Sequence, residues 1–130
     1  KLKRMILLPF FCHEDGAKAR EIYKPPVEWF YNKVSSNQLS QKTAGPVKGY
    51  EFTMTEGSKT REMGYLGFDK LHEYGAAIAD DPATCIRKLK DLKRRLGVTE
   101  FALWFNVGGI APEHVERSMR LTAEKVMPFV

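Results

Sequence analysis

The chain has 130 residues, of which 43% are hydrophobic and 28% are charged, and its formal net charge is +5 at pH 7. This composition excludes a disordered or collagen-like chain, and the length excludes a complete (βα)8 barrel, which needs roughly 250 residues. The charge is too mild to argue for nucleic-acid binding, and no apolar run approaches the roughly 20 residues of a membrane span, so we expect neither nucleic acid nor membrane as a partner.

The first predicted elements are a strand and a helix. Residues 5–12 form a short apolar run, which is typical of a parallel strand that is buried on both faces. A helical pattern follows from Ala17. Pro25 and Pro26 should break or kink this helix, because proline lacks the backbone N–H and clashes with the preceding turn. The helical pattern resumes over residues 27–34.

Helical periodicity disappears over residues 35–67, which are rich in Ser, Thr, Gly, Lys and Gln. Structureless segments of this length are uncommon inside compact domains, and those that occur are often lids or disordered. From the residues alone, a disordered surface loop is the simpler interpretation, and a lid is the alternative.

The second half of the chain alternates strands and helices. Residues 76–79 predict a short buried strand. The helix that follows has clear boundary signals, with Asp81 as its N-cap, Pro82 in its first turn and Gly97 at its end. Leucines at helical spacing predict its buried stripe, which leaves its many basic residues as a solvated face rather than a nucleic-acid patch.

The last predicted elements are a strand over residues 98–106 and a helix that begins at Pro112. Between them, Gly108 and Gly109 could cradle a phosphate with their backbone N–H groups, but a tight turn is the simpler interpretation of two glycines. Strands that alternate with helices predict the α/β class, with a parallel sheet and right-handed crossovers.

Functional residues of α/β folds gather at the carboxyl ends of the strands. Cys12 and His13 lie at one such end, but adjacent strand residues point to opposite faces, which disfavours a thiol–imidazole pair. Cys12 and Cys85 are predicted to be reduced thiols, as in a cytoplasmic protein. His72 and His114 lack metal-ligand spacing, so we expect no metal site.

The last third of the chain carries motifs with a more specific order and spacing. They are Asp81-Pro82-Ala83-Thr84-Cys85-Ile86-Arg87-Lys88-Leu89, Leu96-Gly97-Val98-Thr99-Glu100-Phe101, Phe105-Asn106-Val107-Gly108-Gly109-Ile110 and Glu124-Lys125-Val126-Met127-Pro128-Phe129. Together they resemble the C-terminal end of the bacterial luciferase-like flavin monooxygenases. Upstream, Lys48-Gly49-Tyr50-Glu51-Phe52 resembles the start of the mobile active-site loop of the luciferases themselves, which favours a lid for residues 35–67.

The resemblance implies a partial TIM (βα)8 barrel of about three C-terminal βα units, which forms one domain over residues 1–130 with a lid-like insertion at 35–67. The family uses reduced FMN, or deazaflavin F420 in some branches, together with O2 to oxidise an organic substrate. The chain would then be the C-terminal part of a flavin-dependent monooxygenase, inactive and without bound flavin unless the N-terminal strands are supplied. Its partner would be the remainder of the barrel or a second chain, and an oligomer is expected. A non-catalytic partial-barrel module for binding or assembly is the alternative.

Two departures from the family pattern limit what can be said of site residues. Asp80-Asp81-Pro82 stands where the family usually has Gly-Ser-Pro or Gly-Thr-Pro, and two acids there disfavour a flavin phosphate nearby. The strands that carry most of the family's flavin contacts and catalytic residues are not in this chain, so no catalytic or cofactor-binding residue can be transferred. The remaining candidates are positional ones for the rim of a substrate pocket, namely Phe11 and His13 after the first strand and Asn106 after the last.

Overall fold

The computed structural model describes residues 2–31 and 67–130. The elements in chain order are β1 (Met5–Cys12), α1 (Gly16–Trp29), α2 (Gly67–Tyr74), β2 (Ile78–Asp80), α3 (Pro82–Leu96), β3 (Glu100–Trp104), α4 (Pro112–Lys125) and a 3-10 turn (Met127–Phe129). The predicted α/β class with a parallel sheet is confirmed. Apart from Gly67, the predicted lid at 35–67, with its residues 48–52, lies outside the described residues.

The three strands lie in the order β2-β1-β3, so the first strand of the chain is the central one. β1 and β3 pair over five residues, from Met5 opposite Glu100 to Pro9 opposite Trp104. β2 pairs only with the last three residues of β1. Consecutive barrel strands neighbour each other in chain order, which would put β2 between the other two. The three predicted parallel strands are thus present in one sheet, with two long neighbouring strands and one short edge strand, and their order differs from the chain order.

The two faces of the sheet are covered to different extents. On one face, Leu8, Phe10 and Cys12 of β1 are buried and pack with Leu89 of α3 and Leu121 of α4. Residues of opposite parity point to the other face. There, α1 and α2 cover only the carboxyl end of β1.

At that carboxyl end, Phe11 is buried against Tyr23 of α1 and Phe68 of α2. Further back along the same strand, Met5 is 68% exposed and Leu7 is 65% exposed. The amino half of this face is therefore an apolar surface without a covering layer in the part of the chain that the structure describes.

Helix α1 runs through Pro25 and Pro26 without a break, so the predicted interruption is not found. Ala19, Tyr23 and Val27, spaced four residues apart, are all buried on one side of the helix. Core contacts on both sides of the prolines therefore hold one continuous helix, although two backbone donors are missing. No helix among the described residues is long and apolar enough to cross a membrane.

The predicted boundaries of α3 are confirmed. The Asp81 side chain accepts a hydrogen bond from the backbone N–H of Thr84, and Gly97 ends the helix with a left-handed φ of 63°. The strands are displaced by one or two residues from their predicted bounds, since β2 begins at Ile78 and β3 spans Glu100–Trp104.

The difference in coverage between the two faces can be tested by replacing leucine with alanine at two adjacent positions of β1. Leu8→Ala removes a side chain that is 1% exposed, and we expect a loss of about 2–5 kcal/mol in the free energy of unfolding. Leu7→Ala, on the uncovered face, should cost less than about 1 kcal/mol. Urea unfolding of both variants is the measurement, and an equal loss for both would contradict the described coverage of the sheet.

Candidate functional site

The carboxyl ends of β1 and β2 meet around a buried carboxylate. Asp80, the last residue of β2, is only 6% exposed. Its Oδ1 accepts hydrogen bonds from Nη1 of Arg20 at 2.9 Å and from the backbone N–H of Asp81 at 3.2 Å. Its Oδ2 lies 3.2 Å from Nε2 of His72. Both oxygens of this carboxylate are therefore met by donors, as a buried charge requires.

A fourth side chain joins through His72. The Nζ of Lys88 lies 3.2 Å from the His72 Nδ1, 2.9 Å from Nε2 and 3.1 Å from the backbone oxygen of the same residue. The ammonium is thus within hydrogen-bond distance of both ring nitrogens, while the contact between Nε2 and Asp80 is a charge contact. We call Arg20, His72, Asp80 and Lys88 the Asp80 cluster. Its four members come from α1, α2, β2 and α3.

The environment of the cluster changes how two of its members bind protons. Burial is the main cause that lowers the pKa of His72, and the nearby ammonium of Lys88 lowers it further, while the Asp80 carboxylate acts in the opposite direction. Burial also lowers the pKa of Lys88, against the attraction of Asp80. Burial and the Lys88 ammonium thus both favour the neutral form of His72.

Two neighbouring residues belong to the geometry of this cluster. A Cβ atom on Gly16 would lie 2.2 Å from Oδ1 of Asp80, so the start of α1 approaches the carboxylate more closely than any side chain allows. Asp81 is occupied as the N-cap of α3, and its hydrogen bonds to backbone N–H groups lower its pKa. The two acids that depart from the family pattern are thus both engaged within the fold.

The three predicted rim residues have different surroundings. Phe11 lies in the core rather than at a rim, since it is 1% exposed and stacks on Tyr23 with 5.3 Å between ring centroids. His13 is half-buried, and its ring Nδ1 accepts a hydrogen bond from the backbone N–H of Asp15. The backbone N–H of His13 donates to the backbone oxygen of Asp80 at 3.2 Å. Asn106 is exposed, and its Oδ1 accepts from the N–H of Gly108, which is a turn-forming role.

The structure thus links the backbone of His13 to that of Asp80, while the His13 side chain lies against Asp15 and Glu14. Among the described residues, no hydrogen bond or ion pair joins Asn106 to His13 or Asp80. Cys12 and Cys85 are both buried and free. The backbone N–H of Cys12 donates to the hydroxyl of Ser118 on α4.

An apolar groove lies beyond the carboxyl end of β3. It has a volume of about 430 Å³ and is lined by Pro25, Pro26, Trp29, Gly108 and Gly109. We call it the Trp29 groove. Trp29 is 55% exposed. Gly108 and Gly109 have φ values of 111° and 73°, which favour glycine, so this wall of the groove depends on the backbone freedom of glycine.

The described residues fit a flavin only in part. The Trp29 groove offers an apolar wall of the kind that lines ring-binding pockets. A phosphate would need free N–H groups or cations, but Asp81 caps the N-terminus of α3, and Arg20 is bonded to Asp80. Neither the N-terminus of α3 nor Arg20 is therefore free to bind a phosphate. No group of three or more potential metal ligands occurs in residues 2–31 and 67–130.

Comparison of the chain with models of known protein families and with curated proteins gives no match.

The Asp80 cluster can be tested by removing its central charge. Asp80→Asn leaves Arg20 and Lys88 without their buried anion, and we expect unfolding to become easier by about 2 kcal/mol, below the usual range for buried pairs because Arg20 is partly exposed. The matched control is Asp69→Asn, whose ion pair with Lys24 lies at the surface and should contribute little. Equal effects in thermal or urea unfolding would show that Asp80 has no special role.

The close approach at Gly16 gives a second test. Gly16→Ala should destabilise the fold by about 1–3 kcal/mol, because the added methyl group forces the Asp80 carboxylate out of place and outweighs the better helix propensity of alanine. Lys18→Ala, in the same helical turn but exposed, should leave stability almost unchanged. A neutral or stabilising Gly16→Ala substitution in urea unfolding would contradict this packing.

Proposed function

We propose that this chain is the C-terminal part of a luciferase-like, flavin-dependent monooxygenase and contributes two neighbouring strands, β1 and β3, to its (βα)8 barrel. The motifs of the last third support the family. The observation that carries the proposal is the uncovered apolar face of β1, where Met5 and Leu7 are exposed while the opposite face is packed under helices. In a barrel, apolar side chains likewise point to a core that only all eight strands complete, although α1 and α2 pack here on the carboxyl half of this same face.

The free strand edges agree with the proposal. β2 pairs with residues 10–12 of β1 only, so the edge of residues 5–9 on that side has no strand partner among the described residues. β3 pairs with β1 on one side only. In a complete barrel, one further strand would lie along each of these edges, which removes the exposed backbone groups.

The Trp29 groove has the position expected of this chain's share of an active site. Barrel enzymes build their sites at the carboxyl ends of the strands, and the groove lies beyond the carboxyl end of β3. Its lining among the described residues has no charged side chain, so it would hold the ring of the flavin or an uncharged, apolar substrate. The reduced flavin, when bound, would supply the electrons that activate O2. Phosphate contacts and catalytic groups would come from the rest of the barrel.

A non-catalytic module for binding or assembly remains the second candidate. The uncovered face of β1 favours it equally, because an exposed apolar face is also what a docking surface requires. The two functions differ in one measurable respect, which is whether the completed assembly retains a flavin.

The proposal is tested by supplying the missing strands. We expect the full chain alone to bind reduced FMN weakly under anaerobic conditions. Mixed with the N-terminal part of a luciferase-like barrel, it should bind at least about tenfold more tightly and consume O2 with an aldehyde substrate. Leu7→Asp, on the uncovered face, should abolish association, whereas Leu2→Asp, exposed but ahead of β1, should not. Equal effects of both variants, or no association, would overturn the barrel.

Association without flavin binding would instead support the non-catalytic module. In a pair that does bind flavin, Trp29→Ala should weaken flavin or substrate binding about tenfold, as the loss of a stacking aromatic does. Phe129→Ala removes an equally exposed aromatic from the 3-10 turn that ends the chain and serves as its control. Unchanged binding in Trp29→Ala would remove the groove from the site.

A further inference from the structure

We propose that the Asp80 cluster is an acid-sensitive latch that holds helix α2 on the rest of the fold, with His72 as the group that takes up the proton. This inference concerns α2 and its attachment, and it does not depend on the proposed function.

Helix α2 cannot be stable by itself. It has only eight residues, and isolated helices shorter than about 12–15 residues are marginal in water. Its stability must therefore come from contacts with other elements. The apolar contacts are made by Phe68 and Leu71, which are fully buried in the core.

The polar attachments of α2 are of two kinds. At its start, Oε1 of Glu28 on α1 accepts from the N–H of Phe68 at 3.2 Å, and Lys24 pairs with Asp69 at 2.6 Å on the surface. Near its end, the His72 ring joins Asp80 to Lys88. Of these attachments, the His72 ring is the one that can change its charge near neutral pH.

The charged groups that face His72 explain why protonation would break the attachment. The described ones are Asp80 from β2, Lys88 from α3 and Arg20 from α1. On α2 itself, Lys70 is paired with Glu73, and the Phe68 ring stacks on the imidazole with 5.5 Å between centroids.

Neutral His72 can accept a hydrogen bond from the ammonium, which lies 3.2 Å from Nδ1 and 2.9 Å from Nε2. Protonated His72 presents an N–H to the ammonium of Lys88, so the hydrogen bond is lost and three cations surround one carboxylate. The ring can then keep its proton only by moving away, and α2 would move with it.

The direction of the pH effect follows from this geometry. Burial and Lys88 hold the pKa of His72 below its ordinary value of 6.5, whereas a released His72 would titrate near that value. Below about pH 6.5 the released state therefore binds more protons than the attached state. Attachment of α2 is full above this pH and is lost as the pH falls toward the lowered pKa, by at most about tenfold per pH unit for one proton.

Hydrogen exchange of the full chain at about pH 7.5 and about pH 5, corrected for intrinsic rates, measures the effect. Amides of α2 should lose protection at the lower pH, while those of β1 and β3 should keep theirs. His72→Gln preserves a donor for Asp80 and an acceptor for Lys88 but cannot take up a proton, so the pH dependence of α2 should disappear. His114→Gln, on α4, is the control and should keep the pH dependence of the parent.

A second variant, Lys88→Met, provides an independent measurement if the His72→Gln protein does not fold correctly. Lys88→Met keeps most of the side-chain length and removes the ammonium, so the His72 ring signals in NMR should titrate at a higher pH than in the parent. A pH dependence that survives His72→Gln would overturn the latch. If His72→Gln leaves α2 unprotected at both pH values, the Lys88→Met titration decides, and an unchanged His72 titration there would overturn it.

Discussion

A carboxylate that is removed from water must find hydrogen-bond donors inside the protein, and this requirement organises one side of the fold. Asp80 ends β2 with almost no exposure, so its oxygens draw Arg20 from α1 and His72 from α2. The same charge requires Gly16 at the start of α1, because no larger residue fits beside it. Lys88 in turn contacts both ring nitrogens of His72. A short edge strand of three residues is thus tied to three helices by polar contacts as well as by apolar packing.

The amino half of β1, in contrast, has an apolar surface that no described residue covers. One face of this strand packs under α3 and α4, while Met5 and Leu7 on the other face stay exposed. The Asp80 cluster and the Trp29 groove both lie toward the carboxyl ends of the strands. Helices cover both faces of β1 at that end, and one face is uncovered at the amino end. This difference in coverage between the two ends of β1 is the feature on which the proposed role as one part of a larger barrel depends.

Local signals in the sequence predicted the elements well where chemistry within a few residues decides them. The N-cap Asp81 and the terminal Gly97 bounded α3 correctly, and the apolar run of β1 identified the central strand. Local rules were wrong at Pro25-Pro26, where burial on both sides outweighs the missing donors. The strand order could not be predicted, because chain order alone does not say on which side of β1 the edge strand lies.

The Asp80 cluster could not be found from spacing, because its members come from four elements and are up to 68 residues apart, from Arg20 to Lys88. One signal was present all the same. An acid that directly follows the apolar residues 76–79 is set to be buried, and a buried acid needs a cationic partner. The exposure of Trp29 could not be predicted either, because the groove beside it is formed with the glycine loop after β3, which is far from Trp29 in the sequence.

The central position of β1 has a consequence for how the chain acquires its structure during synthesis. Met5 pairs with Glu100, which is 95 positions later, and closing a loop of that length costs about 4 kcal/mol of chain entropy before any contact repays it. At typical translation rates, roughly 5–20 s pass between the synthesis of these two residues. During that interval residues 5–9 of β1 lack the strand with which they pair. An apolar strand edge of this kind is what chaperones at the ribosome shield until the partner strand is made.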